Sequence, residues 1–213
     1  STSYWDDHYK LINGANTALQ IADSLNLTDA NSLRNIAEAK FFRAFAYYDL
    51  VRTFGSVPKI DFRIYEASQG IKPKAPVAEL WALIDADLGF AATNLPLNWV
   101  ENLNNKYPGR LTSGAAKALL AKAHLFRGNW SQAAALCSQI RSSGEYGLNS
   151  SYFGIFKDAG ENSKESIWEI QNYVSTNGVE NKGSVFATTQ GVRASEASGW
   201  NLGWGWNTPT QAL

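Results

Sequence analysis

The fold of this chain is decided by residues 38–58, which read EAKFFRAFAYYDLVRTFGSVP. On a helical projection of this stretch, apolar side chains occupy several sides and leave only a narrow polar strip. A helix of that kind is buried between neighbouring helices. Gly55 and Pro58 end it, because glycine often follows the last helical turn and proline cannot continue one. The sequence therefore predicts a central, packed helix over residues 32–54.

Four further helices are predicted from apolar residues that recur three or four positions apart. They cover residues 4–24, 77–92, 114–127 and 130–141. Thr28 or Asp29 is expected to cap the central helix, and Thr112 or Ser113 the fourth helix. Residues 59–76 contain two prolines and are expected to form an extended connection. The predicted fold class is mainly α, with little β structure.

The pattern changes after Gly144. Residues 166–171, SIWEIQ, alternate apolar and polar, which predicts a short strand. Residues 172–207 show little periodicity and contain six glycines. We therefore divide the chain into a helical scaffold, residues 1–145, and a strand plus a Gly/Trp-rich loop region, residues 146–213, within one domain.

Two helices carry a weak internal repeat. Small, large and small residues stand four and then three positions apart at Ala37, Phe41 and Ala44, and the same spacing recurs around Leu120. This pattern is typical of the second helix of a tetratricopeptide unit. The copies lie 79 residues apart, so the predicted helical array is irregular.

Composition excludes several classes of protein. Lys+Arg and Asp+Glu both number 19, and this zero net charge argues against binding to nucleic acid or to anionic membranes. One cysteine and two histidines favour neither a disulfide framework nor a metal site, so no cofactor or metal is expected. Cys137 is expected to be an inert buried thiol. No apolar run approaches the roughly 18 residues of a membrane span.

The chain has no methionine, so we expect that Ser1 is not the residue at which translation starts. We expect any signal peptide to have been removed already. Pro209 is expected to open a helix that the end of the chain interrupts. Both features suggest a piece of a longer protein.

The sharpest candidate binding feature is residues 199–207, GWNLGWGWN. Sugar rings present C–H faces that stack on aromatic planes, and neighbouring amides can bond their hydroxyls. The predicted ligand-binding residues there are Trp200, Asn201, Trp204, Trp206 and Asn207. The alternative is that these tryptophans only pack the loop onto the scaffold.

A second candidate lies in the Asn-rich loop before the fourth helix, where Trp99 and Asn102 are predicted ligand contacts. The alternative is that Trp99 only covers the core. The remaining tryptophans stand at apolar positions of helices or of the strand and are expected in the core: Trp5, Trp81, Trp130 and Trp168.

Candidate catalytic groups are weak. Asp85 and Asp87 stand two apart on a helix, face different sides and are expected at the surface. Asp6, Asp7 and His8 are expected to be a solvated helix start rather than a metal pair. The sequence contains no hydrolase, metalloprotease or phosphate-loop motif, so the protein is not expected to be an enzyme.

Residues 38–58 resemble the SusD/RagB family of nutrient-binding lipoproteins of the Bacteroidota outer membrane. Three more blocks are similar to that family, in the family's order. They are residues 109–126, GRLTSGAAKALLAKAHLF, residues 165–171, ESIWEIQ, and residues 207–211, NTPTQ.

The resemblance implies an irregular tetratricopeptide-like helical array with a loop-rich second part. It also implies non-catalytic capture of an oligosaccharide or polysaccharide, in some members a peptide, at the cell surface. The ligand would pass to a TonB-dependent SusC-type outer-membrane barrel. The full-length form would be lipid-anchored in the outer membrane, through a cysteine that this chain lacks.

Two other functions stay open at this point. A tetratricopeptide-type module would bind a protein or peptide, with the Trp cluster in a structural role. A glycoside hydrolase is a distant third.

Overall fold

The computed structural model of the chain describes residues 2–99 and 109–171. These residues contain five α helices: α1 Thr2–Ser24, α2 Ala30–Phe54, α3 Val77–Asn94, α4 Ser113–Phe126 and α5 Trp130–Ser142. Three short 3₁₀ helices follow the same order along the chain: Ala67–Gly70, Phe153–Phe156 and Asp158–Gly160. Each predicted helix is confirmed to within two residues at either end. The mainly α fold class is confirmed as well.

Local signals account for these helix ends. The Asp29 carboxylate accepts from the backbone N–H groups of Asn31 and Ser32, as expected of an N-cap. Thr112 caps α4 in the same way, through the Ala115 N–H. Gly55 ends α2 with φ of 70°, a left-handed conformation that favours glycine. The predicted caps are therefore confirmed.

The helices pack in chain order, with α2 against α1 and α3, α3 against α4, and α4 against α5. As predicted, α2 is central and buries Phe41, Tyr47 and Leu50 almost completely. All residues described up to Glu169 belong to one compact unit. Of a second unit that starts at Ile170, only Ile170 and Gln171 are described. The division at residues 145 and 146 stays a prediction.

The predicted strand over residues 166–171 is wrong, because these residues form no strand in the structure. Trp168 instead packs edge-on against Phe41, with ring centroids 5.4 Å apart. Its indole N–H donates to the Gly109 carbonyl at 3.1 Å. Ile167 also packs against the core, whereas Ile170 is exposed, so the apolar residues of this segment do not form one buried face. Trp168 does lie against the core as predicted.

Two acidic residues of α3 also correct a prediction. Asp87 is not at the surface: its residue is only 1% exposed. Arg43 of α2 grips its carboxylate in bidentate fashion, at 2.7 Å from Nε and 2.9 Å from Nη2. Lys40 Nζ adds a third bond at 3.0 Å. Asp85 instead pairs with Arg127, the residue that follows α4, at 2.7 Å. Both carboxylates thus join helices.

The buried ion pair continues into the connection between α2 and α3. Arg43 Nη1 donates to Asn16 Oδ1 on α1 at 2.8 Å. The Asn16 amide then donates to the backbone carbonyls of Ile60 and Phe62, both at 2.9 Å. One continuous set of hydrogen bonds therefore links three helices to the extended connection.

Tyrosine hydroxyls hold the same connection. The Tyr47 hydroxyl accepts from the Ile60 N–H at 2.6 Å and donates to the Ile60 carbonyl at 3.1 Å. Tyr9 donates to the Pro58 carbonyl at 2.7 Å. Burial raises the pKa of both tyrosines above the ordinary range, so each keeps the proton it donates. Asn13 completes the set, because its Oδ1 accepts from the Ile64 N–H at 2.9 Å.

Three further predictions are wrong. His8 is not simply solvated, since its Nε2 lies 3.3 Å from Asp49 of α2. Trp130 is 64% exposed rather than in the core, and Cys137 is exposed rather than buried. Both lie on α5, which ends the row of described helices and buries only Ala133. Trp81 is buried and Trp5 packs against the core, as predicted.

We predict that Arg43→Met destabilises the chain strongly, because it leaves the Asp87 carboxylate buried with only Lys40 as a cation. The expected loss is about 3–5 kcal/mol in the free energy of unfolding, measured by urea denaturation. Lys10→Met is the control, because its pair with Asp7 is exposed and is worth about 0–1 kcal/mol. Equal losses in the two variants would contradict the importance of the buried pair.

We predict that Tyr47→Phe loosens the connection without opening the helical core. The Ile60 N–H loses its partner, which costs about 1–3 kcal/mol. Hydrogen exchange should show faster exchange of the Ile60 amide than in the wild type. Tyr152→Phe is the control, since Tyr152 is exposed. Unchanged protection of Ile60 in Tyr47→Phe would refute the anchoring role.

Candidate functional site

A pocket opens between α1 and the connection that follows α2. Its volume is about 480 Å³, within the range of roughly 300–1,000 Å³ typical of ligand sites. We name it the Tyr65 pocket, after its most exposed aromatic residue. It is lined by Asn16, Leu19, Gln20 and Asp23 of α1 and by Asp61, Phe62, Arg63, Tyr65 and Gln69 of the connection.

Two aromatic rings face solvent at this pocket. Tyr65 is 63% exposed and Phe62 is 37% exposed. The Arg63 guanidinium lies 4.7 Å from the Tyr65 ring centroid, and the Tyr65 hydroxyl donates to Gln20 Oε1 at 3.1 Å. The Lys72 ammonium lies 5.3 Å from the Phe62 centroid. Each ring is thus held by a cation while much of its surface meets water.

The backbone that carries these rings is fixed from two directions. Side chains of α1 and α2 hold residues 58–64, as described above. The 3₁₀ helix Ala67–Gly70 holds Tyr65, because Gln69 Oε1 accepts from the Tyr65 N–H at 2.7 Å and from the Glu66 N–H at 3.2 Å. A loop positioned by a rigid scaffold is a common place for binding residues.

The polar groups of the pocket suit an uncharged polar ligand. Gln20 and Gln69 carry amides, Asp23 and Asp61 carry carboxylates, and Arg63 carries a guanidinium. Together they offer hydrogen-bond donors and acceptors around exposed aromatic surface. This combination matches a sugar, whose C–H face stacks on a ring while its hydroxyls form hydrogen bonds.

The structure also describes Trp99, one of the predicted ligand contacts. Trp99 is 9% exposed, and its indole N–H donates to the Leu111 carbonyl at 2.6 Å. The Arg110 guanidinium covers its ring at 3.5 Å from the centroid. Trp99 borders a narrow cavity of about 120 Å³, next to Asn98 and Tyr146. Its contact with a ligand stays a prediction.

The other predicted ligand residues lie outside the described residues and stay predictions: Asn102, Trp200, Asn201, Trp204, Trp206 and Asn207. The sequence pattern predicts only a connection over residues 59–76 and does not single out Phe62, Arg63 or Tyr65. A usable signal was present. Residues 61–65, DFRIY, place two aromatics and a guanidinium in a segment with no apolar helical period.

Among residues 2–99 and 109–171, no group of three or more His, Cys, Asp or Glu side chains is placed to hold a metal ion. None of the helices described is long and apolar enough to cross a membrane.

Comparisons with known proteins point in one direction. A family profile described as SusD-like, "Starch-binding associating with outer membrane", matches residues 1–125. The chain is 37% identical over 135 residues to SusD-like protein P2 of Formosa agariphila, an alignment that covers 62% of this chain and 25% of the relative. The chain thus spans about a quarter of that relative's length.

Solved structures agree. A laminarin-binding SusD-like protein superposes with a TM-score of 0.71 at 30% identity, over 79% of this chain and 37% of that one. A structure solved with a xylogluco-oligosaccharide superposes with a TM-score of 0.68 at 25% identity, over 81% of this chain and 36% of that one. The family profile covers more than half of the sequence, and the chain therefore belongs to the SusD-like family.

Proposed function

We propose that this chain binds a neutral oligosaccharide or polysaccharide without catalysis, and that the Tyr65 pocket contacts the ligand. The observation that carries the proposal is the exposed Tyr65 ring, set among amide and carboxylate groups on a backbone that the helices hold in place. A large ring in water gains free energy when a sugar face covers it.

The rigidity of the connection supports the proposal. A flexible ligand such as a glycan loses conformational freedom when it binds, and the protein adds a further cost if its own loop must also be ordered. Here the loop is ordered in advance by Tyr47, Asn16 and Gln69. The binding free energy can then be spent on ordering the sugar.

Relatives suggest which glycans to test. One structural neighbour is a laminarin-binding protein, and another was solved with a xylogluco-oligosaccharide. Both ligands are neutral glucans. We therefore propose neutral glucans as the ligand class for this chain.

The finer part of the proposal concerns place and partner. The family description, starch-binding associating with outer membrane, supports a position at the outer membrane. We propose that the full protein is lipid-anchored on the cell surface there and passes its glycan to a SusC-type TonB-dependent barrel. Copurification of the tagged full-length protein with one such barrel from its own outer membrane would test this, with an unrelated lipoprotein as control.

We predict that Tyr65→Ala weakens binding of laminarin and of a xylogluco-oligosaccharide by about tenfold, because a stacking ring is worth on the order of 1–2 kcal/mol. Isothermal titration and native affinity electrophoresis would measure the loss. Tyr152→Ala is the matched control, since Tyr152 is 79% exposed but does not line the pocket.

Glucan binding that is unchanged in Tyr65→Ala would refute the Tyr65 pocket as the site. If the wild-type chain binds a peptide but none of the glycans, the alternative of a tetratricopeptide-type peptide-binding module would replace the proposal.

A further inference from the structure

Asp23 occupies an electrostatically unfavourable place. It lies in the last turn of α1, which ends at Ser24 and has no basic residue in that turn. Backbone carbonyls make the C-terminal end of a helix partly negative, so a cation is favoured there and a carboxylate is not. An isolated helix would gain stability from Asn or Lys at this position.

Protein partners do not compensate for this cost. The backbone carbonyl of Asp23 accepts from the Asn26 N–H at 3.0 Å, but its carboxylate pairs with no group among residues 2–99 and 109–171. The residue is exposed at the rim of the Tyr65 pocket. The carboxylate is thus free to accept hydrogen bonds from a ligand.

The cations around the pocket are already engaged. Arg63 lies over the Tyr65 ring, and Lys72 lies over the Phe62 ring. Lys59 Nζ lies 3.4 Å from Asp61 Oδ2. Of the residues that line the pocket, two carry a negative charge and one carries a positive charge.

Asp23 also borders a neighbouring cavity of about 370 Å³ that contains Lys40 and Arg43. Both of these cations bind the buried Asp87 carboxylate. Glu66, next to Tyr65, adds a further negative charge whose side chain caps the 3₁₀ helix. Among the residues that line the Tyr65 pocket, Asp23 and Asp61 outnumber Arg63, so the lining carries one net negative charge beside the negative end of α1.

We propose that Asp23 is the charge-selecting residue of the Tyr65 pocket: its carboxylate accepts hydrogen bonds from sugar hydroxyls and repels acidic sugars. This inference rests on the proposed function and adds to it, because it limits the ligands to uncharged glycans. Bonds to a carboxylate are about twice as strong as neutral ones, which favours a diol in place of water. A sugar carboxylate at the same position would meet the Asp23 carboxylate, which is unpaired among the described residues, and the negative end of α1.

The test compares laminarin with laminarin oxidised to the carboxylate at C6, because the two share one backbone and differ in charge. The wild-type chain should bind the oxidised form at least about tenfold more weakly at low salt. The difference between the two affinities should decrease as the salt concentration rises, because ions screen exposed charges. Isothermal titration at two salt concentrations gives both values.

The variant Asp23→Asn keeps the size of the side chain and removes its charge. It should bind laminarin about fivefold more weakly and oxidised laminarin more strongly than the wild type does. Its thermal unfolding midpoint should rise by about 1–3 °C, because the repulsion at the end of α1 is gone. A variant that is more stable yet binds laminarin less well cannot be explained by misfolding.

Asp6→Asn is the matched control, since Asp6 lies near the other end of α1, is exposed and does not line the pocket. It should leave both affinities unchanged. If the wild-type chain binds both forms of laminarin equally, or if Asp23→Asn alters neither affinity, the charge selection is refuted while the proposed function stands. If the wild-type chain binds neither form, the proposed function fails and this inference fails with it.

Discussion

The structure depends on one buried charge. The Asp87 carboxylate on α3 is shielded from water, and Arg43 of α2 donates two short hydrogen bonds to it. A carboxylate in such a place is tolerable only with a partner of this geometry. Arg43 also donates from Nη1 to Asn16 of α1. Asn16 in turn binds two carbonyls of the connection. The hydrogen bonds that begin at this one buried carboxylate therefore link three helices and a loop.

This arrangement gives a helical protein a rigid loop without a sheet. Side chains from α1 and α2 bond the carbonyls of Pro58, Ile60 and Phe62 and the N–H groups of Ile60 and Ile64. Among the described residues, one isolated bridge joins Pro58 and Lys74. Buried backbone groups need partners, and here asparagine and tyrosine supply them. The exposed rings of Phe62 and Tyr65 stand on that fixed backbone, so the hydrogen bonds of the core also position the site.

The sequence predicts structural features that depend on contacts between neighbouring residues. The helix ends, for example, follow from caps such as Asp29 and Thr112, whose hydrogen-bond partners lie within a few residues. The predictions are wrong where a side chain pairs with a residue far away in the sequence. Asp87 is paired with a residue 44 positions away, His8 with one 41 positions away, and Tyr65 with one 45 positions away. The predicted burial of Trp130 and Cys137 is wrong for a related reason. Periodicity indicates an apolar face of a helix, but it does not show whether another element covers that face. These contacts depend on the packing of helices, which one sequence does not specify.

The distribution of unfavourable features separates scaffold from site. In the part of the chain that the structure describes, no buried side-chain oxygen or nitrogen lacks a hydrogen-bond partner. Two energetically unfavourable features lie at the surface and line the same pocket. The Tyr65 ring is exposed to water, and the Asp23 carboxylate lies at the negative end of a helix. Departures from local stability that no neighbour compensates are expected at functional positions. A ligand with an apolar face and several hydroxyls would relieve both at once, which is why their shared position favours a sugar over a purely apolar or a charged ligand.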